Sequence, residues 1–315
     1  MRIFDIGIVG GGPAGLSAAL WGARYGRSVV VIDSGDPRNW DARGVNGFLG
    51  LPGVRPAELR GRGREELRSY GVTLIDAVVT GLERKTHASA ASVPDQAPLF
   101  AFETDQGDVV HARRVLLAIG VLDVWPDIPE LSRVYGANAH VCPDCDGYEA
   151  RDKRVVVIGS GRRAVAMALA LTTWTSQLTI VTNGQDADMD DEELRQKVAA
   201  NGIVVRTDAV TRIGHVGEAI SCLHLANGEA LDVDKLFFTI AQLPADDLGV
   251  QLGCERDRGD HIVVSEHFAT SVDGVYAAGD ITPGPQLAVR AAAAGAVAAM
   301  AMHKSLVPDQ RTLSG

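Results

Sequence analysis

The sequence predicts an α/β fold made of two nucleotide-binding-type units, and three observations carry that prediction. A strand pattern, Ile3 to Val9, runs into the glycine turn Gly10-Gly-Gly12-Pro13-Ala14-Gly15, an apolar helix from Leu16 to about Tyr25, and a second strand pattern, Ser28 to Asp33. The same arrangement returns about 150 residues later: Arg154 to Ile158, Gly159-Ser-Gly161-Arg162-Arg163-Ala164, a helix from Val165 to Thr173, and Gln177 to Val181. The chain has 315 residues, room for two domains of ~150 residues each with its own core.

The spacing in the first unit has a chemical reading. Gly10 permits a tight turn, Gly12 lets backbone approach a pyrophosphate at the helix N-terminus, Gly15 lets helix and strand pack, and Asp33 can accept hydrogen bonds from a ribose. A purely structural glycine turn is the competing reading, disfavoured because strand, turn, helix, strand and acid all occur in the required order. Residues 34–55 carry turn residues too dense for regular structure, and a loop this long in a compact domain is usually functional. A helix follows from about Ala57 to Tyr70, then strands near Val72 to Val79 and two hairpin-like segments divided by an Ala/Ser/Pro stretch, His87 to Pro98, read as a surface loop without chemistry. Val115 to Gly120 is a short buried strand ending in glycine. The tail holds a strand ending Gly279-Asp280, a Pro-Gly-Pro turn and a helix from about Gln286 to Leu306, whose dipole would favour negative charge at its N-terminus.

Composition excludes several classes. With 22% charged and 46% hydrophobic residues the chain is globular, and a net charge of -10 argues against nucleic acid or an anionic membrane as partner. The longest apolar run, Leu287 to Met302, contains Arg290 and is shorter than the ~20 residues of a bilayer span, so it reads as a buried helix. The chain opens on a strand pattern with no basic segment followed by an apolar one, which gives a cytoplasmic expectation.

Four cysteines do not make a secreted disulfide scaffold, but Cys142-Pro143-Asp144-Cys145 places two close enough to bridge if the segment enters a helix. A close pair points to redox chemistry or to metal. A structural zinc site needs four ligands and no second close pair exists, so no metal is expected. Cys222 and Cys254 read as inert. His140 is either a proton carrier or a packing residue.

These features in order resemble the low-molecular-weight thioredoxin reductase family: Gly10-x-Gly12-Pro-Ala-Gly15, a Cys-x-x-Cys-Asp-Gly before the second unit, and Gly-Val-Tyr-Ala-Ala-Gly279-Asp280 before a helix. The resemblance covers essentially the whole chain. It implies two Rossmann-like, three-layer (ββα) domains, the second inserted into the first: an FAD domain of residues 1–115 and 242–315 and a cysteine-bearing domain of residues 116–241. It implies FAD contacts at Gly10, Gly12, Pro13, Ala14, Gly15, Asp33, Arg38, Asn39, Val78, Gly120, Gly279, Asp280, Gln286, Leu287 and Ala288. It also implies that Cys145 faces the flavin, Cys142 exchanges with substrate, Asp146 relays a proton, and the protein is a homodimer acting on a small thioredoxin-like protein or a small-molecule disulfide.

The sequence departs from the family at the second unit. NADPH-dependent members carry a His-Arg-Arg type cluster after its second strand, whereas this chain has Val181-Thr182-Asn183-Gly184 and then Asp186, Asp188, Asp190, Asp191, Glu192 and Glu193. That run would repel an anionic cofactor, apart from any share acting as the acidic first turn of a helix, and Arg162 and Arg163 compensate only in part. NADPH use is therefore doubtful. A second nucleotide, even a second FAD, held by Gly159, Gly161, Arg162 and Arg163 stays open. Arg38-Asn39, the Asn46-Gly-Phe-Leu-Gly50 loop, Pro56-Ala-Glu-Leu59 and the Gly-Tyr-Glu149 that follows the cysteines are similar to the pyridine-nucleotide-independent branch, comprising dithiol oxidases and reductases fed by ferredoxin or a second flavin. Asp146, where those oxidases commonly carry histidine, favours a reductase. Pro285-Gln286-Leu-Ala288 replaces the family's Arg-Gln pair. Rival readings are an NADPH-dependent reductase, a dithiol oxidase and a non-catalytic flavin redox sensor.

Overall fold

The computed structural model describes residues 2–85, 98–187 and 191–311. In chain order the elements are β1 (Ile3–Val9), α1 (Pro13–Arg24), β2 (Val29–Asp33), α2 (Pro56–Ser69), β3 (Thr73–Asp76), β4 (Val79–Lys85), β5 (Leu99–Thr104), β6 (Val109–Leu117) and β7 (Val121–Val124). Then follow α3 (Leu131–Val134), β8 (Ala139–His140), α4 (Pro143–Asp146), β9 (Val155–Ile158), α5 (Gly161–Leu171), β10 (Leu178–Val181), α6 (Glu192–Ala200) and β11 (Val204–Arg206). The last are β12 (Val210–Val216), β13 (Ala219–Leu225), β14 (Ala230–Asp232), β15 (Lys235–Phe238), β16 (Ala241–Pro244), α7 (Leu248–Gln251), β17 (Val275–Ala277) and α8 (Ala288–Ser305). The chain forms two compact units: Met1–Trp40, Pro56–Leu122 and Gln242–Gly315 make the first, Asp41–Arg55 and Asp123–Ala241 the second.

The first unit is a seven-stranded sheet in the order β3-β2-β1-β6-β5-β4, with β17 also on β6. β1, β2, β3, β6 and β17 run parallel, and β4 and β5 are antiparallel additions. One long strand serves two neighbours on the same side: the first half of β6 pairs with β5 and its second half with β17. The parallel strands are nearly continuous Val, Ile and Leu because both faces are covered. Phe100 and Phe102 of β5 are fully buried, and burial of each contributes about 1.5–3 kcal/mol. Phe102 lies where a side chain on Gly7 would stand, so that position in β1 must stay bare.

Helix α1 starts at Pro13 rather than Leu16, because proline needs no amide partner in a first turn and its fixed φ already suits the helix. It packs on α8 through small residues. A Cβ on Gly295 would run into the Ala14 carbonyl, and Ala291, Ala294 and Ala298 are buried in the same cluster. The expectation of a buried tail helix holds, with ends at Ala288 and Ser305, and no helix of the described residues is long and apolar enough to cross a membrane.

The second unit has a five-stranded parallel sheet, β11-β10-β9-β15-β8, and a three-stranded antiparallel sheet, β12-β13-β14. Its helix α5 begins at Gly161, a turn earlier than the sequence indicates. Residues 41–55, placed with the first domain by their position in the chain, cluster with this unit, where Val45 bridges to Val54. The stretch expected as a surface loop, His87 to Pro98, lies outside the described residues apart from Pro98.

Candidate functional site

The first glycine turn is built to receive something. Gly10 has φ +100° and a Cβ there would strike the Ala118 carbonyl, while a Cβ on Gly15 would strike the Gly10 carbonyl, so strand, turn and helix touch backbone to backbone. Gly12 differs: a Cβ there would meet nothing within 4 Å. Gly12 and Pro13 open onto a shallow cleft lined by Gly11, Leu16, Pro37, Asn39, Pro56, Leu59 and Arg60. Arg60 pairs through Nη2 with Asp33, yet its buried Nε has no partner. A buried guanidinium nitrogen left unpaired at the wall of a cleft that starts at a helix N-terminus suits a phosphate-bearing ligand.

Asp33 stands at the end of β2 and is buried, held by Arg60 and by Arg64 Nη1 at 3.4 Å. Arg64 also holds Asp76 at 2.5 Å. The carboxylate expected to accept from a ribose is already paired with two cations, neither of which the sequence reading singled out. Their signal was the i, i+4 repeat of arginine on α2, the helix opened by the Pro56-Ala-Glu-Leu59 segment.

The tail motif assembles as a second cluster of the same unit. Arg38 Nη1 donates to Asp280 Oδ2 at 2.9 Å and to Gln286 Oε1 at 2.7 Å, and Gln286 exchanges amide hydrogen bonds with Gln242. Gly279, at φ +87°, lies against Ala14. Leu287 is the N-cap residue of α8 and Ala288 its first residue. Of the remaining expected contacts, Val78 uses its amide on Asp105 at 3.0 Å and Gly120 accepts from the Ala245 amide at 3.4 Å. Neither lines the cleft beside Gly12.

In the second unit Cys142 and Cys145 form a disulfide with Cα atoms 5.3 Å apart. Pro143 opens α4 between them, and the Cys145 amide donates to Cys142 Sγ at 3.1 Å. Two side chains converge on Asp146, and a third stands behind one of them. Asn46 Nδ2 donates to Oδ1 at 3.2 Å, and His140 Nδ1 lies 3.4 Å from Oδ2. Behind His140, Lys235 Nζ lies 3.4 Å from Nε2 and donates to the Ala137 carbonyl at 2.9 Å. Burial pushes the Lys235 ammonium below its ordinary value, opposed by the nearby Asp146 and Glu149 carboxylates. Lys235 gave no sequence signal, since it is 95 residues from His140 and meets it only through the pairing of β15 with β8. Cys254 is buried and its thiol is pushed up by that burial, in keeping with an inert residue.

The second glycine turn is covered by its own chain. The Gly161 amide donates to the Ala187 carbonyl at 3.2 Å, and Ser160 Oγ to Gln185 Oε1 at 2.8 Å. Arg162 pairs with Asp191 and lies 3.9 Å from Glu193, while Arg163 reaches the Ile240 carbonyl at 3.4 Å. Asn183, at φ +57°, accepts from the Val210 amide, so the segment after β10 closes as a turn. Within the acidic run Asp191 caps α6, and Asp188 and Asp190 lie outside the described residues. Among the described residues no group of acids, histidines and cysteines is arranged to hold a metal.

Comparison with known proteins bears on both sites. The family described as pyridine nucleotide-disulphide oxidoreductase matches residues 4–295. A thioredoxin reductase, tcpT, of Claviceps purpurea is 31% identical over 89% of this chain and 87% of its own length. The crystal structure of HlmI superposes with TM-score 0.88 at 32% identity, covering 96% of this chain and 92% of that one. An oxidoreductase of Agrobacterium tumefaciens follows at TM-score 0.84 and 30% identity, covering 97% and 99%.

Proposed function

Since the chain belongs to the pyridine nucleotide-disulphide oxidoreductase family and is an FAD-dependent disulfide oxidoreductase, we propose that it exchanges electrons between flavin and the Cys142–Cys145 pair, and then with an external disulfide or dithiol, without NADPH as natural partner. One observation carries the last clause: the second glycine turn gives its Gly161 amide to Ala187 and its Arg162 to Asp191, so the groups that would take a dinucleotide phosphate are already engaged.

The first unit fits FAD. Gly12 leaves open space at the helix N-terminus, Arg60 Nε waits without a partner, and Asp33, Arg38, Asn39 and Asp280 stand around the same helix and strand ends. When bound, FAD is the two-electron carrier. Gly10, Gly15 and Gly279 let the backbones come close, Pro13 and Ala14 begin the helix whose N-terminus would hold the phosphates, and Gln286, Leu287 and Ala288 open α8 beside Asp280. The cysteine pair is the exchanging centre. A thiolate released on opening the disulfide takes a proton, and Asp146, next to Cys145 and held by Asn46 and His140, is the group placed to give it.

By resemblance the protein works as a cytoplasmic homodimer. Its partner is a small thioredoxin-like protein or a small-molecule disulfide, with ferredoxin, a second flavin or oxygen at the other end of the electron path. Anaerobic mixing with NADPH, NADH, reduced ferredoxin and a small dithiol in turn, followed at the flavin band, tests this. Rapid bleaching by reduced ferredoxin or the dithiol and none by NADPH is expected; rapid bleaching by NADPH overturns it. Cys145→Ser should abolish turnover, and a variant that keeps full turnover removes the pair from the mechanism. One flavin per chain is expected from the covered second turn, and two would show that turn to be a second nucleotide site.

A further inference from the structure

The side chains behind the cysteine pair form a line with a direction. Lys235 Nζ, His140 Nε2, His140 Nδ1 and Asp146 Oδ2 follow one another at 3.4 Å steps on either side of the imidazole ring. His140 is buried, its ring packs on Phe237, and β8 pairs with β15 so that His140 lies opposite Phe237, two residues from Lys235. An ammonium has only donors, and Lys235 uses one on the Ala137 carbonyl. Toward His140 it can only donate again. Nε2 must then accept, which leaves the ring proton on Nδ1, facing the Asp146 carboxylate.

We infer that Lys235 and His140 are positioning residues that lock the imidazole in its Nδ1–H form against Asp146 and return a proton to that carboxylate each time the cysteine pair takes one. This rests on the reading of Asp146 as the proton carrier of the pair. At rest the line holds ammonium, neutral imidazole and carboxylate. In the delivery step the His140 Nδ1–H bond breaks and an Asp146 Oδ2–H bond forms, while a Lys235 Nζ–H bond breaks and a His140 Nε2–H bond forms. The Oδ2–H bond then breaks as an S–H bond forms on the thiolate released when the disulfide opens. One proton has left the lysine and one has reached sulfur, leaving an Nε2–H imidazole donating to a neutral lysine amine; when the pair closes and gives its proton back through Asp146, the reverse transfers restore the Nδ1–H ring and the ammonium. The other sulfur takes its proton from solvent, and the electron pair comes from whatever thiol or carrier opens the disulfide. In the opposite direction the same line drains the proton of a closing thiol.

The groups around the line are few. Asp146 and Glu149 face Lys235 from the cysteine segment and Lys153 from the loop before β9, and Asp146 is held on its other oxygen by Asn46. A lysine pushed down by burial gives up a proton more readily than one in water, which suits a donor at the end of a relay.

Two measurements on the flavin-loaded, disulfide-bonded protein test the inference. The first is nitrogen NMR of histidine-labelled protein near pH 7.5, with His140 assigned by loss of its signal in His140→Gln. The Nδ1–H tautomer is expected, reverting to the Nε2–H tautomer in Lys235→Met. An Nε2–H tautomer in the unmodified protein overturns the lock, whatever the variants do. The second is the rate at which dithiothreitol opens the disulfide between pH 6 and 9 under anaerobic conditions, read by quenching and counting alkylated thiols. Lys235→Met should slow it about a hundredfold at pH 8, the low end of general-acid effects, and hardly at pH 6, where solvent protons take over. Lys235→Arg should keep the Nδ1–H tautomer but not the rate, because a guanidinium does not release its proton. A normal rate at pH 8 in Lys235→Met or Lys235→Arg overturns the relay. Asp146→Asn separates the two layers: if it leaves the rate untouched, the role of Asp146 fails, while the tautomer result still decides the lock.

Discussion

The two glycine turns of this chain look alike as sequence and differ as chemistry. Both follow a buried strand and open a helix, at Gly10-Gly12 and Gly159-Gly161. At the first, nothing stands within 4 Å of a Cβ placed on Gly12, and a buried guanidinium nitrogen of Arg60 is left without a partner. At the second, the segment after β10 folds back, the Ala187 carbonyl takes the Gly161 amide, and Asp191 and Glu193 face Arg162. Glycine spacing records that the backbone makes the turn. Whether the turn has free donors depends on what folds across it, which is a tertiary fact.

That comparison can be broken most forcefully at Gly12. Gly12→Asp has room for its side chain, so the protein should fold, yet a carboxylate there faces the ligand's phosphates: flavin content measured by absorbance per chain should fall more than about tenfold, the size of one lost charge-assisted contact. Ser160→Asp at the equivalent edge of the second turn should leave flavin content unchanged. Equal losses in both would mean that the two turns are chemically the same.

Next in size is Asp33→Ala, which strands Arg60 and Arg64 beside the first turn. Breaking a buried pair on one side costs about 3–5 kcal/mol, to be read from urea unfolding of the flavin-free protein. A loss below about 1 kcal/mol would show that the two arginines hold each other's place without Asp33.

The second turn can also be opened. Asp191→Asn with Glu193→Gln frees Arg162, and NADPH binding followed by fluorescence should strengthen about tenfold, one charge-assisted hydrogen bond's worth. No change would place the obstruction wholly in the Ala187 carbonyl and the turn at Asn183.

The smallest effect concerns Asp234, whose carboxyl Arg154 holds down to about 2 through direct hydrogen bonds. A carboxyl depressed in the folded state stabilises above its unfolded pKa near 3.9 and loses that contribution as pH falls through about 2. Asp234→Asn should therefore lower stability above pH 4 by at most about 1 kcal/mol, since the pair is partly exposed, and be neutral near pH 2. A constant difference between pH 2 and pH 6 would assign the effect to packing.

The parts legible in the sequence were those with short range. Strand, glycine turn and helix are adjacent in the chain, so Gly10, Gly12, Pro13 and Asp33 are found by counting, and the cysteine bridge needs only three residues of separation. Their long-range partners were not. Arg60 and Arg64 reach Asp33 across 27 and 31 residues, Gln286 meets Gln242 across 44, and Lys235 meets His140 across 95, each brought together by sheet or helix packing that local pattern does not encode. His140, whose sequence reading left proton carrier and packing residue open, is buried against Phe237 with Nδ1 3.4 Å from the Asp146 carboxylate. Arg162, read as partial compensation for the missing phosphate grip, is paired with Asp191 and lies near Glu193.

The contrast between the turns comes to one experiment: anaerobic stopped-flow mixing of the oxidised, flavin-loaded protein with micromolar NADPH, followed at the flavin absorbance band. The flavin should stay oxidised for minutes and then bleach at once on addition of dithionite. Full bleaching by NADPH within a second would mean that the second turn accepts the dinucleotide despite Ala187 and Asp191, and would make the protein an NADPH-driven reductase.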